Sequence, residues 1–179
     1  MEPRITGRKN VFQTPYFSLV AKTISGHLDD DPFYAIEASD YLAVVAVTEN
    51  DELLLVRQYR PAVEDFCLEL PAGTLDTDES PTEAARRELL EETGYIADEI
   101  RELGCLITDS ARLANRMWCF FAPRVRAVAN HPREKGIELV VVPRDRWLET
   151  LRPPALRHGL HLGALYLAVS SGQFTLPSR

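Results

Sequence analysis

Residues 73–95 read Gly73-Thr-Leu-Asp-Thr-Asp-Glu79-Ser-Pro-Thr-Glu-Ala-Ala-Arg-Arg87-Glu88-Leu89-Leu-Glu91-Glu92-Thr-Gly94-Tyr95. The stretch marks its own helix. Ser80 can cap it, Pro81 suits the first helical position, and Glu83 completes a capping box with Ser80. Gly94 supplies the left-handed residue that commonly ends a helix. The spacing therefore predicts a helix over residues 81–93. At about 100° per residue, Glu88 and Glu92 lie about 40° apart, with Glu91 about 60° to the other side of Glu88. Like charges so placed destabilise a helix by a few tenths of a kcal/mol per pair, and the dipole disfavours anions at its C-terminal end. One reading is a solvated surface helix in which Glu83 and Glu91 pair with Arg87. The other is a bound divalent cation that removes the conflict. Oxygen-only ligands favour a hard ion, Mg²⁺ or Mn²⁺.

Outward from this helix the chain reads mostly as strands. Residues 41–48 and 53–59 are rich in Val and Leu around the polar Glu49-Asn-Asp-Glu52, a strand–turn–strand signal. Residues 66–70 form a short strand running into Pro71-Ala72-Gly73. Beyond the helix, strands are expected at 101–108, 117–122, 125–128 and 138–142, then helices at 147–151 and 160–170. Before it, residues 11–12, 16–23 and 33–38 read as two or three antiparallel strands, punctuated by a turn at Asp29-Asp-Asp-Pro32. The expected class is α+β, an α/β/α sandwich with a mixed central sheet. Residues 1–40 form an N-terminal strand segment, and residues 41–179 the main domain.

The bulk numbers exclude several classes. The 179 residues suffice for one domain and a small appendage, with 45% hydrophobic and 26% charged residues, a globular balance. A net charge of −7 argues against a dedicated nucleic-acid surface, since polyanion binding needs phosphate neutralisation. No apolar run approaches a membrane span, and the N-terminus lacks the apolar core of a signal peptide. Cys67, Cys105 and Cys119 are odd in number and lack metal-type spacing, which reads as reduced, mostly buried thiols in a cytoplasmic protein.

The stretch at 73–95 resembles the signature of the Nudix hydrolases, G-x5-E-x7-R-E-U-x-E-E-x-G-U, where U is bulky and aliphatic. Gly73, Glu79, Arg87, Glu88, Glu91, Glu92 and Gly94 match the fixed letters, and Leu89 fills the first U. Tyr95 departs mildly at the second. At residue frequencies of roughly 6%, seven matches arise by accident on the order of once per million chains. The resemblance implies hydrolysis of a nucleoside diphosphate linked to another group. Water attacks a phosphorus, and metals neutralise the pyrophosphate and lower the pKa of a bound water. Carried over by position, Glu88 and Glu92 lead the metal ligands, with Glu91 and the Ala72 carbonyl beside them. Arg87 orients the carboxylates, and Glu79 is structural.

Arg57-Gln58-Tyr59-Arg60-Pro61 and Leu68-Glu69-Leu70-Pro71-Ala72-Gly73 resemble the ADP-ribose and nucleotide-sugar pyrophosphatase branch. By that comparison Arg60 contacts the pyrophosphate, where a guanidinium fork suits phosphate oxygens, and Glu69 faces the metal and water cluster. In the same branch a glutamate on a mobile loop before a late strand deprotonates the water. Glu134 is the first choice here and Glu138 the second. Members resembling this chain also carry a proline shortly beyond the box. Here residues 106–116 lack one, and the next is Pro123. Arg112 and Arg116 in that loop either bind a phosphate or terminal sugar or are surface charges. Another dinucleotide, such as a dinucleoside polyphosphate or NADH, and a non-catalytic nucleotide-binding module are the alternatives. The N-terminal strands imply a homodimer by the same resemblance. His158 and His161, three apart with no third ligand, read as a polar helix start. Trp118 and Trp147 read as core, and Tyr16, Phe17 and Phe33 as packing or an adenine pocket.

Overall fold

The structure, a computed structural model, describes residues 2–26 and 31–178. Half of the expected turn, Asp29 and Asp30, lies outside them. The chain divides into two compact units. One comprises residues 1–40 with 107–116, the other residues 41–106 with 117–179.

In the first unit, β1 (Arg4–Gln13), β2 (Phe17–Ser25) and β3 (Phe33–Ala38) form an antiparallel sheet in that order. The 107–116 loop, which carries Arg112 and Arg116, joins this sheet. Ile36 donates its N–H to the Arg112 carbonyl at 2.8 Å, and Ala114 donates to the Ile36 carbonyl at 2.9 Å, a parallel bridge beside Leu113. The Asn115 amide and the Arg116 backbone N–H fasten the loop to Ser39 and Asp40.

The second unit is built on β4 (Tyr41–Thr48), whose Val- and Ala-rich run fits a strand covered on both faces. Leu42, Val44 and Ala46 pack with Ala84, Ala85 and Leu89 of α1 (Pro81–Thr93). Ala43, Val45 and Val47 pack with Leu165 and Ala168 of α3 (Gly159–Ser170) and with Trp147 of α2 (Trp147–Thr150). Period-two alternation thus gives one core to each sheet face, with helices outside both. The sheet is mixed. β4 runs antiparallel to β5 (Glu52–Arg60) and parallel to β10 (Arg116–Ala127), while β11 (Ile137–Pro143) pairs with the other side of β5. β6 (Asp65–Glu69) pairs with β5, β7 (Ala72–Thr74) with β4, and β9 (Arg101–Ile107) and β8 (Tyr95–Ile96) with β10.

Several boundaries differ from expectation. Residues 117–122 and 125–128 are one strand, because Arg124 takes a positive φ of 51° and a bulge carries the ladder past Pro123. β7 and β8 are too short for sequence periodicity to show. Only Cys119 is buried among the cysteines. Cys67 is half-buried and Cys105 exposed, and no disulfide joins them. Trp147 is core, stacked on Phe174 at 4.8 Å. Among the described residues no helix is long and apolar enough to cross a membrane.

Candidate active site

Helix α1 starts and stops where its residues dictate. The Ser80 side chain accepts from the Glu83 N–H, the Glu83 carboxylate accepts from the Ser80 N–H, and Gly94 closes the end at φ 75°. That fixes the register of the acids. Glu88 and Glu92 turn inward, only 7% and 3% exposed, while Glu91 stays in solvent. The turn before the helix is shaped to receive them. A Cβ on Gly73 would lie 1.9 Å from Glu88 Oε1, so no side chain fits there while that carboxylate holds its place. The Ala72 N–H donates to Glu92 Oε2 at 2.8 Å.

Arg87 ties the acids together. Its Nε and Nη2 donate to Glu79 at 3.1 and 2.6 Å, and its Nη1 to Glu88 Oε1 at 2.7 Å and Glu91 Oε2 at 3.2 Å. The second Nη2 donor reaches the Thr74 carbonyl at 3.1 Å. Glu79 also accepts the Asp76 N–H at 3.1 Å, in keeping with a structural part.

Burial, opposed by the Ala72 hydrogen bond and reinforced by the charges of Glu88 and Glu134, pushes Glu92 up to about 8. Burial also raises Glu88, against the pull of Arg87. Desolvated carboxylates held together call for a positive charge. Among the described residues no group of three or more His, Cys, Asp or Glu already converges as a metal cage. The donor chemistry nevertheless fits a hard cation, since Glu88, Glu92, Glu91 and the Ala72 carbonyl offer only oxygen.

The two candidate bases separate. The Glu134 N–H donates to the Glu91 carbonyl at 3.0 Å, and its carboxylate charge acts on both Glu88 and Glu92. Glu138 is instead paired with Arg57 across the β5–β11 ladder at 3.1 Å. Arg60 and Glu69 meet each other: Nε donates to Oε1 at 2.9 Å and Nη2 to Oε2 at 2.6 Å. Glu69 is only 1% exposed and the Arg60 side chain 43% exposed, so the buried acid aims an open guanidinium. Arg112 and Arg116 belong to the other unit, where Arg112 lies 5.2 Å from the Phe33 ring centroid.

A NUDIX domain model matches residues 40–157, well over half of the chain. The chain belongs to the Nudix family. It is 36% identical over 93 residues to an ADP-ribose pyrophosphatase of Bacillus subtilis, covering 52% of this chain and 50% of that one. It is 29% identical over 124 residues to the ADP compounds hydrolase NudE of Escherichia coli, covering 66% and 64%. The matches span 30–50% of the length of the first curated relatives. A crystal structure of an ADP compounds hydrolase superposes with a TM-score of 0.79 at 21% identity, covering 97% of this chain and 98% of that one, which shows the same Nudix fold.

One buried residue differs from its sequence reading. His161 is not a polar helix start but a core residue, 2% exposed, stacked on His158 at 3.9 Å. Its Nδ1 accepts the Leu70 N–H at 3.1 Å. The signal was present in the spacing of α3: His161, Ala164, Leu165 and Ala168 recur as one buried stripe.

Proposed function

We propose that this Nudix protein is a Mg²⁺-dependent pyrophosphatase, with Mn²⁺ as a substitute, acting on ADP-ribose or a related nucleoside diphosphate sugar. The products are a nucleoside monophosphate and a sugar phosphate. The observation that carries this reading is the buried pair Glu88 and Glu92, desolvated and short of positive charge beside the Arg87 cluster. A hard cation there would neutralise the diphosphate and acidify a water.

The chain's own groups supply the rest. Arg60 binds diphosphate oxygens through the guanidinium edge that Glu69 leaves open. Glu134 takes the proton from the attacking water as its oxygen bonds to phosphorus and the bridging P–O bond breaks. The names of the relatives support an ADP-containing substrate. The E. coli match and the absence of a proline in residues 106–116 keep a second reading open, an ADP compound other than ADP-ribose.

A substrate panel with Mg²⁺, read by which monophosphate appears, tests both. ADP-ribose should give AMP and ribose 5-phosphate. Retained ligand binding without turnover of any diphosphate would leave a binding module instead. The reading includes a homodimer formed through the N-terminal strands, where Phe12, Tyr16 and Tyr34 are exposed. Light scattering at micromolar concentration should give twice the chain mass. A cytoplasmic location agrees with three cysteines held as thiols, and cell fractionation checks it.

A further inference from the structure

Between β6 and β7 the chain leaves the edge of β5 and joins β4, crossing through Leu70, Pro71 and Ala72. This bend matters to the site on both sides. Glu69, which holds Arg60, precedes it, and the Gly73 that accommodates Glu88 follows it. Leu70 is fully buried, so its N–H needs a partner within the protein.

Three hydrogen bonds from three elements fasten the crossing. Val44 of β4 donates its N–H to the Pro71 carbonyl at 2.9 Å. The Ala72 N–H goes to Glu92 of α1 at 2.8 Å. The Leu70 N–H goes to His161 Nδ1 of α3 at 3.1 Å. Pro71 has no N–H to offer, so these bonds account for every amide donor of the bend. Burial, then the charges of His158 and Arg60, push the His161 ring down to about 3. The ring is therefore neutral, with its proton on Nε2 and Nδ1 free to accept. An apolar residue at this first place of the α3 stripe would pack equally well but would leave the Leu70 N–H unmet.

We propose that His161 is a positioning residue for the active site, holding the Leu70–Ala72 bend from the sheet face opposite α1 so that the Ala72 carbonyl and Glu69 keep their places. α1 and α3 lie on opposite faces of the sheet and hold the two ends of the same bend, α1 Ala72 through an acid and α3 Leu70 through a neutral base. The role rests on the metal reading in one respect, the use of the Ala72 carbonyl as a ligand.

Two substitutions separate positioning from packing. His161→Phe keeps an aromatic ring against His158 and removes the acceptor. His161→Asn sets an amide oxygen close to where Nδ1 stood and restores it. Mn²⁺ binding is measured by paramagnetic resonance without substrate, and Leu70 amide exchange is followed in metal-free protein. His161→Phe should weaken Mn²⁺ binding about tenfold, within the range seen when residues supporting metal ligands are removed, and speed Leu70 exchange at least as much. His161→Asn should return both to within about threefold of the parent.

Unchanged Leu70 exchange in His161→Phe overturns the proposal, as does faster exchange with unaltered Mn²⁺ affinity, or an asparagine variant no better than the phenylalanine one. A parent protein that binds no Mn²⁺ overturns the metal reading instead, and Leu70 exchange then still decides whether His161 holds the bend.

Discussion

Arg87 and Arg60 each grip a glutamate through two hydrogen bonds, yet one guanidinium is saturated and the other is not. Arg87 spends five donor contacts on Glu79, Glu88, Glu91 and the Thr74 carbonyl. A guanidinium has five N–H groups, so nothing remains for a ligand. Arg60 spends two on Glu69 and keeps the rest at an open surface. The same pair of residue types therefore does different work. The first arranges acids and the second presents a cation. Burial decides between them, because Arg60 is anchored to an acid that cannot move into water.

The largest effect should fall on the buried acid beside the Arg87 cluster, Glu92, which the Ala72 N–H holds. Glu92→Gln should lower turnover by about 10³-fold or more while circular dichroism stays unchanged, since it removes a charge meant for the cation. Near-normal turnover in the folded variant would detach Glu92 from the chemistry.

Next comes the proton. Glu134→Gln should cost about 10²-fold or more in kcat, the usual range for a lost general base, and Glu138→Gln within about twofold. The opposite order would show that the Arg57 pairing of Glu138 breaks when substrate arrives.

The arginines themselves give the sharpest contrast. Arg87→Ala should raise the Mg²⁺ needed for half-maximal rate by about tenfold, and excess Mg²⁺ should restore part of the activity. Arg60→Ala should raise KM by about tenfold with no change in Mg²⁺ requirement. It should also lower Tm more than Glu69→Ala does, because it strands a buried carboxylate, whereas Arg60 alone can reach water. If Arg60→Ala shifts the Mg²⁺ requirement too, the division of labour fails.

The smallest effect is a pH dependence. Burial holds His161 near 3 when folded, against an ordinary 6.5. The unfolded chain therefore takes up this proton first, and stability is lost as pH falls from about 6.5 towards 3. Glu92, raised to about 8 when folded, contributes the opposite slope in this window, so the His161 share is read as a difference: between pH 7.5 and 5.5 the parent should lose about 1.4 kcal/mol relative to His161→Asn. Thermal scans of the parent and His161→Asn across this window read that difference. An equal slope in both proteins removes His161 as its source.

Much of this is legible in the sequence. The helix, its caps and its acid register follow from local rules that a spacing can express, and α1 obeys them from Pro81 to Thr93. The i,i+4 contact of Arg87 with Glu91 is of the same kind. Arg60 and Glu69 were each singled out through resemblance, but their mutual grip depends on β5–β6 pairing, which no helical or strand period encodes. His161 was misread because a histidine in an apolar stripe looks polar until its buried partner is known. In residues 106–116 the charges of Arg112 and Arg116 leave substrate binding and plain surface exposure as alternatives. What neither alternative foresees is that their backbone pairs with the edge of β3, a preference for hydrogen-bond satisfaction that composition does not report.

That attachment has a consequence for how the first unit can be removed. Its strands come from the start of the chain, but the segment along β3 is threaded in from beyond the helix. Severing the chain after Asp40 would not release a self-contained piece. It would leave Ile36 without its two backbone partners on one fragment and Arg112 and Ala114 without theirs on the other. The unit is discontinuous in the chain, so shuffling residues 1–40 alone onto another protein would carry away only part of it.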